Sequence, residues 1–251
     1  MSHQPQPPSQ PAAIIGALVE VWDSTAALIG QLGNDDFSKP TPCSDWSVQD
    51  IAAHIVATEI MMLDAAADDD THFERIRDVG RSSLLAEFRD VTRRRVQMLE
   101  GMTAHEWSTA SFAPLEGMPY EHVMVVRTLD CWVHEQDIRD ATGHEGNEWG
   151  LAAAATVDAT CFLAGAVPAT DANTGAGTVV FSLTVDGEVV REVVLTSSSH
   201  PSSTAGVAMP VGHWVRLCGG RVGADELGDR VTINGDRAAA EGALAQLQGS
   251  W

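Results

Sequence analysis

Lysine is almost missing from this chain. Lys39 is the only one, arginine supplies the rest of the positive charge, and 15 basic residues face 35 acidic ones for a formal net charge of −20. A surface so poor in cations cannot displace counterions from a polyanion, so nucleic acid and anionic membranes are excluded as partners. Cysteine is also scarce: Cys43, Cys131, Cys161 and Cys218 are scattered with no CxxC spacing. That excludes a zinc ribbon or finger built on cysteine pairs and predicts free thiols in a reducing compartment. No unbroken apolar run reaches the ~18 residues of a membrane span. Met1–Pro11 lacks the basic start and apolar middle of a signal peptide, so it reads as a disordered polar tail and the protein as cytoplasmic. The acidic run Asp68-Asp69-Asp70 lacks the glycine and spaced oxygens of a calcium loop and reads as a solvated helix end.

What is present is helical periodicity followed by a change of character. Apolar residues recur at helical spacing over Ala13–Leu32, from Ser47 to about Ala67, over Ser83–Met102 and over Tyr120–Thr142. Ser47 with Asp50 has the form of a capping box, and Gly143 stands where a helix C-cap is expected. Arg93-Arg94-Arg95 reads as a solvated face, and Trp107 falls in an expected loop. After Gly143 one more helix is expected over Leu151–Val167. Alternating strands follow at Thr178–Val185 and Val189–Thr196 around the Asp186-Gly187 hairpin signal, then a polar loop over Ser197–Ser203. A short helix at Val211–Leu217, a strand at Val231–Ile233 and a helix at Arg237–Leu247 complete the reading. The predicted class is α+β: an antiparallel four-helix bundle over residues 12–148, then a small α/β domain over 149–251.

Asp130 and His134 stand four apart on the last bundle helix, which places both side chains on one face. His54 sits within the second helix among Ala52, Ala53 and Ile55. If those two helices are neighbours, one histidine and one Asp-x-x-x-His pair converge on three ligands for a divalent metal. Three protein ligands and an open fourth position are the catalytic pattern of zinc. On spacing alone the ordinary readings prevail: a hydrogen-bonded core histidine, and a surface Asp/His helix pair.

Two stretches alter that balance. Cys43-Ser44-Asp45-Trp46-Ser47-Val48-Gln49-Asp50-Ile51-Ala52-Ala53-His54 and Asp130-Cys131-Trp132-Val133-His134-Glu135-Gln136-Asp137-Ile138-Arg139 resemble the mycothiol-dependent maleylpyruvate isomerase family, within the DinB-like metal-binding bundles. The resemblance covers the bundle well. It is thinner beyond, where Trp214-Val215-Arg216-Leu217, Gly220-Arg221 and Gly235-Asp236 suggest the family's small sterol-carrier-like domain. The resemblance implies His54, Asp130 and His134 as metal ligands, with Asp130 where the family commonly carries Glu.

It further implies mycothiol, the low-molecular-weight thiol of actinobacteria, as cosubstrate, and a metal that lowers the thiol pKa for attack on a small electrophile held between the domains. The leading expectation is a zinc- and mycothiol-dependent S-transferase. The second is maleylpyruvate isomerase itself, acting in aromatic catabolism, and the third a non-catalytic carrier of an apolar ligand. Arg127, on the face of Asp130 and His134, is expected either to clamp a substrate carboxylate or the thiol cosubstrate, or to form a salt bridge. Arg221 is expected either to reach the same cleft as a catalytic or cofactor-binding group or to be a solvated turn residue. Asp137 and Glu135 are expected as helix-surface charge, with orientation of an imidazole as the other reading. His122, His144, His200 and His213 lack metal spacing. The assembly expected is a monomer or homodimer.

Overall fold

The computed structural model describes residues 10–43, 45–64, 69–109, 117–168, 177–196 and 202–250. The chain divides into two compact units, 9–153 and 154–251. The division falls inside the helix Leu151–Ala164, a few residues later than the sequence suggests, because the start of that helix is tied to the first unit. Glu20 Oε1 accepts a hydrogen bond from the Ala152 backbone N–H at 3.0 Å.

The first unit is built on four long helices: α1 (Pro11–Gln31), α2 (Val48–Leu63), α4 (Arg81–Gly101) and α6 (Tyr120–Thr142), with the shorter α3 (Asp69–Arg77) and α5 (Ala104–Ser108) between them. Pro11 opens α1, where its missing N–H costs nothing. The tail expected over 1–11 otherwise lies outside the described residues. By length and composition α1 could cross a membrane. Here Ile14, Leu18, Val21, Trp22, Leu28 and Ile29 are buried, and the helix packs against α4 and α6. Ser47 caps α2 by accepting from the Asp50 N–H while Asp50 Oδ2 accepts from the Ser47 N–H at 2.8 Å. Gly143, at φ 73°, closes α6 in the left-handed conformation. α2 packs on α3, α4 and α6, so the neighbourhood of α2 and α6 on which the ligand reading depends is present. Asp69 and Asp70 begin α3 rather than ending α2, and Trp107 is a buried residue of α5.

The second unit holds α7 (Leu151–Ala164), β1 (Val167–Pro168), β2 (Thr178–Val185), β3 (Glu188–Thr196), β4 (Thr204–Pro210), α8 (Val211–Cys218), β5 (Thr232–Gly235) and α9 (Arg237–Leu247). Its strands run in the order β1-β3-β2-β4-β5. β2 and β3 form the expected hairpin, with Asp186 at φ 50° and Gly187 at φ 83° supplying the two positive torsions of a tight turn. β4 pairs parallel to β2 and antiparallel to β5. Val179, Phe181 and Leu183 of β2 and Ala205, Val207 and Met209 of β4 are buried, and α8 and α9 contact both strands. Trp214 of α8 sits edge-on to Phe181 and donates its indole N–H to Thr160 Oγ1 of α7 at 2.8 Å. The polar loop expected over Ser197–Ser203 falls mostly outside the described residues.

Candidate metal centre

α2 and α6 set the site. The Ser47 cap fixes the start of α2, and His54 follows two turns on. From α6 come Arg127, Asp130 and His134, at helical spacings of three, four and seven. His54 Nε2 lies 3.4 Å from Asp130 Oδ2, and His134 Nε2 lies 3.4 Å from Asp130 Oδ1. One donor atom from each of the three residues falls within 4.8 Å of the other two. A tetrahedral ion with bonds of ~2.0–2.2 Å keeps its donors roughly 3.3–3.6 Å apart, so each histidine stands at such a distance from one Asp130 oxygen, and the residue types suit zinc. His134 is buried, whereas the His54 and Asp130 side chains each keep 23% of their surface exposed. The donor set is thus open on one side.

The surroundings of His134 fix which nitrogen faces the site. Its Nδ1 is 3.1 Å from Asp137 Oδ2, so in the neutral ring a proton held on Nδ1 leaves the Nε2 lone pair for the site. Asp137 is 2% exposed, which makes it an orienting partner rather than the surface charge favoured by helix position. Burial alone would lower the His134 pKa, but Asp130 and then Asp137 outweigh it and raise it from 6.5 to about 9. Burial works in the opposite direction on Asp130, where the Arg127 guanidinium and then His134 win and hold its carboxyl well below the usual range. Two carboxylates thus draw positive charge onto one ring, and a proton occupies the place a cation could take.

Arg127 is 4% exposed. Its Nε donates to Glu59 Oε1 at 2.8 Å, its Nη2 to the Ile55 carbonyl at 3.1 Å and its Nη1 to Asp130 Oδ2. Of the two expectations for this residue, the structure gives it the salt bridge. Glu59, fully buried, also accepts from Arg95 Nε at 2.7 Å, and Arg95 Nη2 donates to the Tyr120 hydroxyl at 3.1 Å. Arg95 is therefore a buried member of the Arg93-Arg94-Arg95 triplet, not part of a solvated face. Two acidic and two basic groups form a balanced core network that ends on a candidate ligand.

The sequence reading assigned no role to Trp46, Glu59 or Cys43. Trp46 stacks at 5.6 Å on His134, approaches His54 at 4.9 Å and is itself backed by Phe73 at 5.9 Å. Its place in the motif before His54 was the available signal. Cys43 brings its sulfur within 4.8 Å of donor atoms of His134 and Asp137. Glu135 is fully buried and bonded to Ser24, Arg139 and Asn147, so it ties α1, α6 and the following loop rather than lying on a helix surface. Arg221 belongs to the second unit, where its Nη1 donates to the Gly219 carbonyl at 3.0 Å.

Residues 18–139 match the family described as mycothiol maleylpyruvate isomerase N-terminal domain. No curated protein sequence matches the chain. A crystal structure of the mycothiol-dependent maleylpyruvate isomerase is similar in fold, with a TM-score of 0.60 at 13% identity, over 90% of this chain and 93% of that one. A histidine-to-alanine mutant of the mycothiol-dependent maleylpyruvate isomerase gives a TM-score of 0.56 at 12% identity over the same shares.

Proposed function

We propose, from the match of residues 18–139 to the N-terminal domain of the mycothiol maleylpyruvate isomerase family, that this chain is a metalloenzyme that activates mycothiol for attack on a small electrophile. The observation that carries the reading is the convergence of His54, Asp130 and His134, one donor atom of each within 4.8 Å of the others and each histidine 3.4 Å from an Asp130 oxygen, with one side open. Two imidazoles and one carboxylate with a vacant position suit zinc. Bound there, zinc would supply the Lewis acidity that lowers a thiol's pKa. The chain's own groups prepare the site for it. Asp137 keeps the His134 Nε2 lone pair directed at the donor set. Arg127 fixes the Asp130 carboxylate on α6. Trp46 stacks on His134 and packs against His54 at a tilt.

Thiol addition to an activated double bond is the first step of both reactions expected from the sequence. Isomerisation releases the thiol after rotation, whereas transfer retains it. Isomerisation has the support of the family and of both similar structures, so we take maleylpyruvate-type isomerisation as the reading and S-transfer as its alternative. Arg221 is carried as a group for thiol or substrate by resemblance alone. The test is elemental analysis of the purified protein, then incubation of the zinc-loaded form with mycothiol and maleylpyruvate. Substrate loss with thiol conserved supports isomerisation, and equimolar thiol consumption supports transfer. A protein that binds no zinc and turns over neither way would refute the enzyme reading and leave the carrier.

A further inference from the structure

The His134 ring has two nitrogens, and the proposed site uses only one. On the other side of the ring, Nδ1 lies 3.1 Å from Asp137 Oδ2. Cys43 Sγ completes a second triangle with a ring nitrogen of His134 and a carboxylate oxygen of Asp137, the three atoms all within 4.8 Å of one another. The Nδ1–Oδ2 separation is already close to the roughly 3.3 Å edge of a tetrahedral zinc site. We propose that Cys43, His134 Nδ1 and Asp137 form a second cation position, thiolate-bearing and selective for soft or borderline dications.

The donor chemistry argues for that selectivity. One thiolate and one carboxylate would neutralise a dication, and the imidazole adds a borderline nitrogen. Sulfur and nitrogen favour zinc, cobalt or cadmium over magnesium or calcium, which prefer oxygen cages. The donors are also held in place. Asp137 and His134 are buried on α6, at 2% and 5% exposure. Cys43 sits in a pinned loop: its carbonyl accepts from the Trp46 N–H at 3.1 Å, and Thr41 Oγ1 donates to the Trp46 carbonyl at 2.9 Å. Pro40 and Ser47 bridge the base of this loop. Cys43 is half-buried while its two partners are enclosed, so an ion reaches the triangle from the cysteine side. Nδ1 must give up its proton to bind. The position needs neither His54 nor Asp130, but it shares the His134 ring with the thiol-activating site, so an ion there replaces the Nδ1 proton that Asp137 holds and the two positions compete for that ring.

Cobalt(II) separates the two positions, because only a thiolate ligand gives an intense near-ultraviolet sulfur-to-cobalt charge-transfer band. The metal-free full-length protein is titrated with Co2+ anaerobically, with no low-molecular-weight thiol present. The band is expected in wild type and in His54→Ala, and it is expected to vanish in Cys43→Ser. Asp137→Asn should bind with roughly 10- to 100-fold weaker apparent affinity. The proposal is overturned by no band in wild type at saturating cobalt, by a band that survives Cys43→Ser, or by a band that disappears with His54→Ala while circular dichroism stays native. Failure of the thiol-activating site reads differently: its sulfur-free visible bands would be missing in Cys43→Ser, where the second position no longer competes for His134.

Discussion

Glu59→Gln is the sharpest perturbation of this bundle. The carboxylate is fully buried and accepts from Arg95 Nε at 2.7 Å and Arg127 Nε at 2.8 Å. The substitution keeps the volume and opens no cavity, so its effect is electrostatic. It removes the one carboxylate paired with Arg95 among the described residues and turns one acceptor oxygen into a donor opposed to a guanidinium. Breaking a buried pair by removing one partner costs about 3–5 kcal/mol, because a charge is left uncompensated. For a unit of this size, each kcal/mol moves Tm by ~2–4 °C, so a fall of roughly 6–20 °C is expected. The assay is thermal unfolding followed by helical circular dichroism, with calorimetry to assign the transition to the bundle. A second variant isolates the cause. Glu59→Met combined with Arg95→Met removes one charge of each sign and leaves Arg127 paired with Asp130, so it should recover most of the loss. The reasoning fails if Glu59→Gln melts within about 2 °C of wild type, or if the paired replacement is the more damaging of the two.

Other outcomes follow from the same geometry. His134→Ala should lose bound zinc more completely than His54→Ala, since it removes the oriented nitrogen; elemental analysis with circular dichroism checks both. Asp130→Asn should weaken zinc strongly and Asp130→Glu should retain it, measured by competition with a chromophoric chelator; equal affinities for Asn and wild type would remove Asp130 from the ligand set. The pKa of His134 is raised in the folded state from 6.5 to about 9, so its contribution to the metal-free protein is complete below pH ~6.5 and lost as pH rises through ~9. Urea unfolding in chelator should therefore show falling stability across that window, and zinc affinity should rise across it as the ring gives up its proton.

Periodicity was a good guide wherever contrast between faces was strong. α6, β2 and α9 have the bounds the sequence suggests. β4 escaped because its inward Ala205, Val207 and Met209 alternate with Gly206 and Ala208, which are too small to mark an outward face. α3 escaped because its acidic start resembles a helix end. In the site, the Asp130–His134 spacing was legible, whereas the approach of His54 depends on tertiary packing of α2 on α6. The charge network was the hardest part. Arg95 is chemically identical to Arg93 and Arg94, which are exposed, and only the phase of α4 separates them. Glu59, between Thr58 and Ile60 in an apolar stretch, was the signal: an ionisable group in such a place requires a partner.

Charge accounting links that network to the chemistry proposed for the site. His54 and His134 are neutral as ligands, and the single negative charge of Asp130 is already shared with Arg127. Glu59 does not relieve this, since it is itself divided between Arg127 and Arg95. The buried Asp137 carboxylate beside His134 adds a second negative charge, so a dication held by these three ligands would be offset in part and would keep the remainder of its charge. Arg127 Nη1 is bonded directly to the Asp130 carboxylate, so its guanidinium stands close to any dication held there and repels it. Arg127 thus lowers metal affinity while increasing the attraction for an anionic fourth ligand. Water would meet that demand only by losing a proton, and a thiol does so more readily because its pKa starts far lower. On this accounting Arg127 acts through charge without touching substrate. Arg127→Gln should then bind zinc more tightly than wild type, yet discriminate less between a thiol and water. Weaker zinc binding in that variant would show instead that Arg127 serves mainly to hold Asp130 in place.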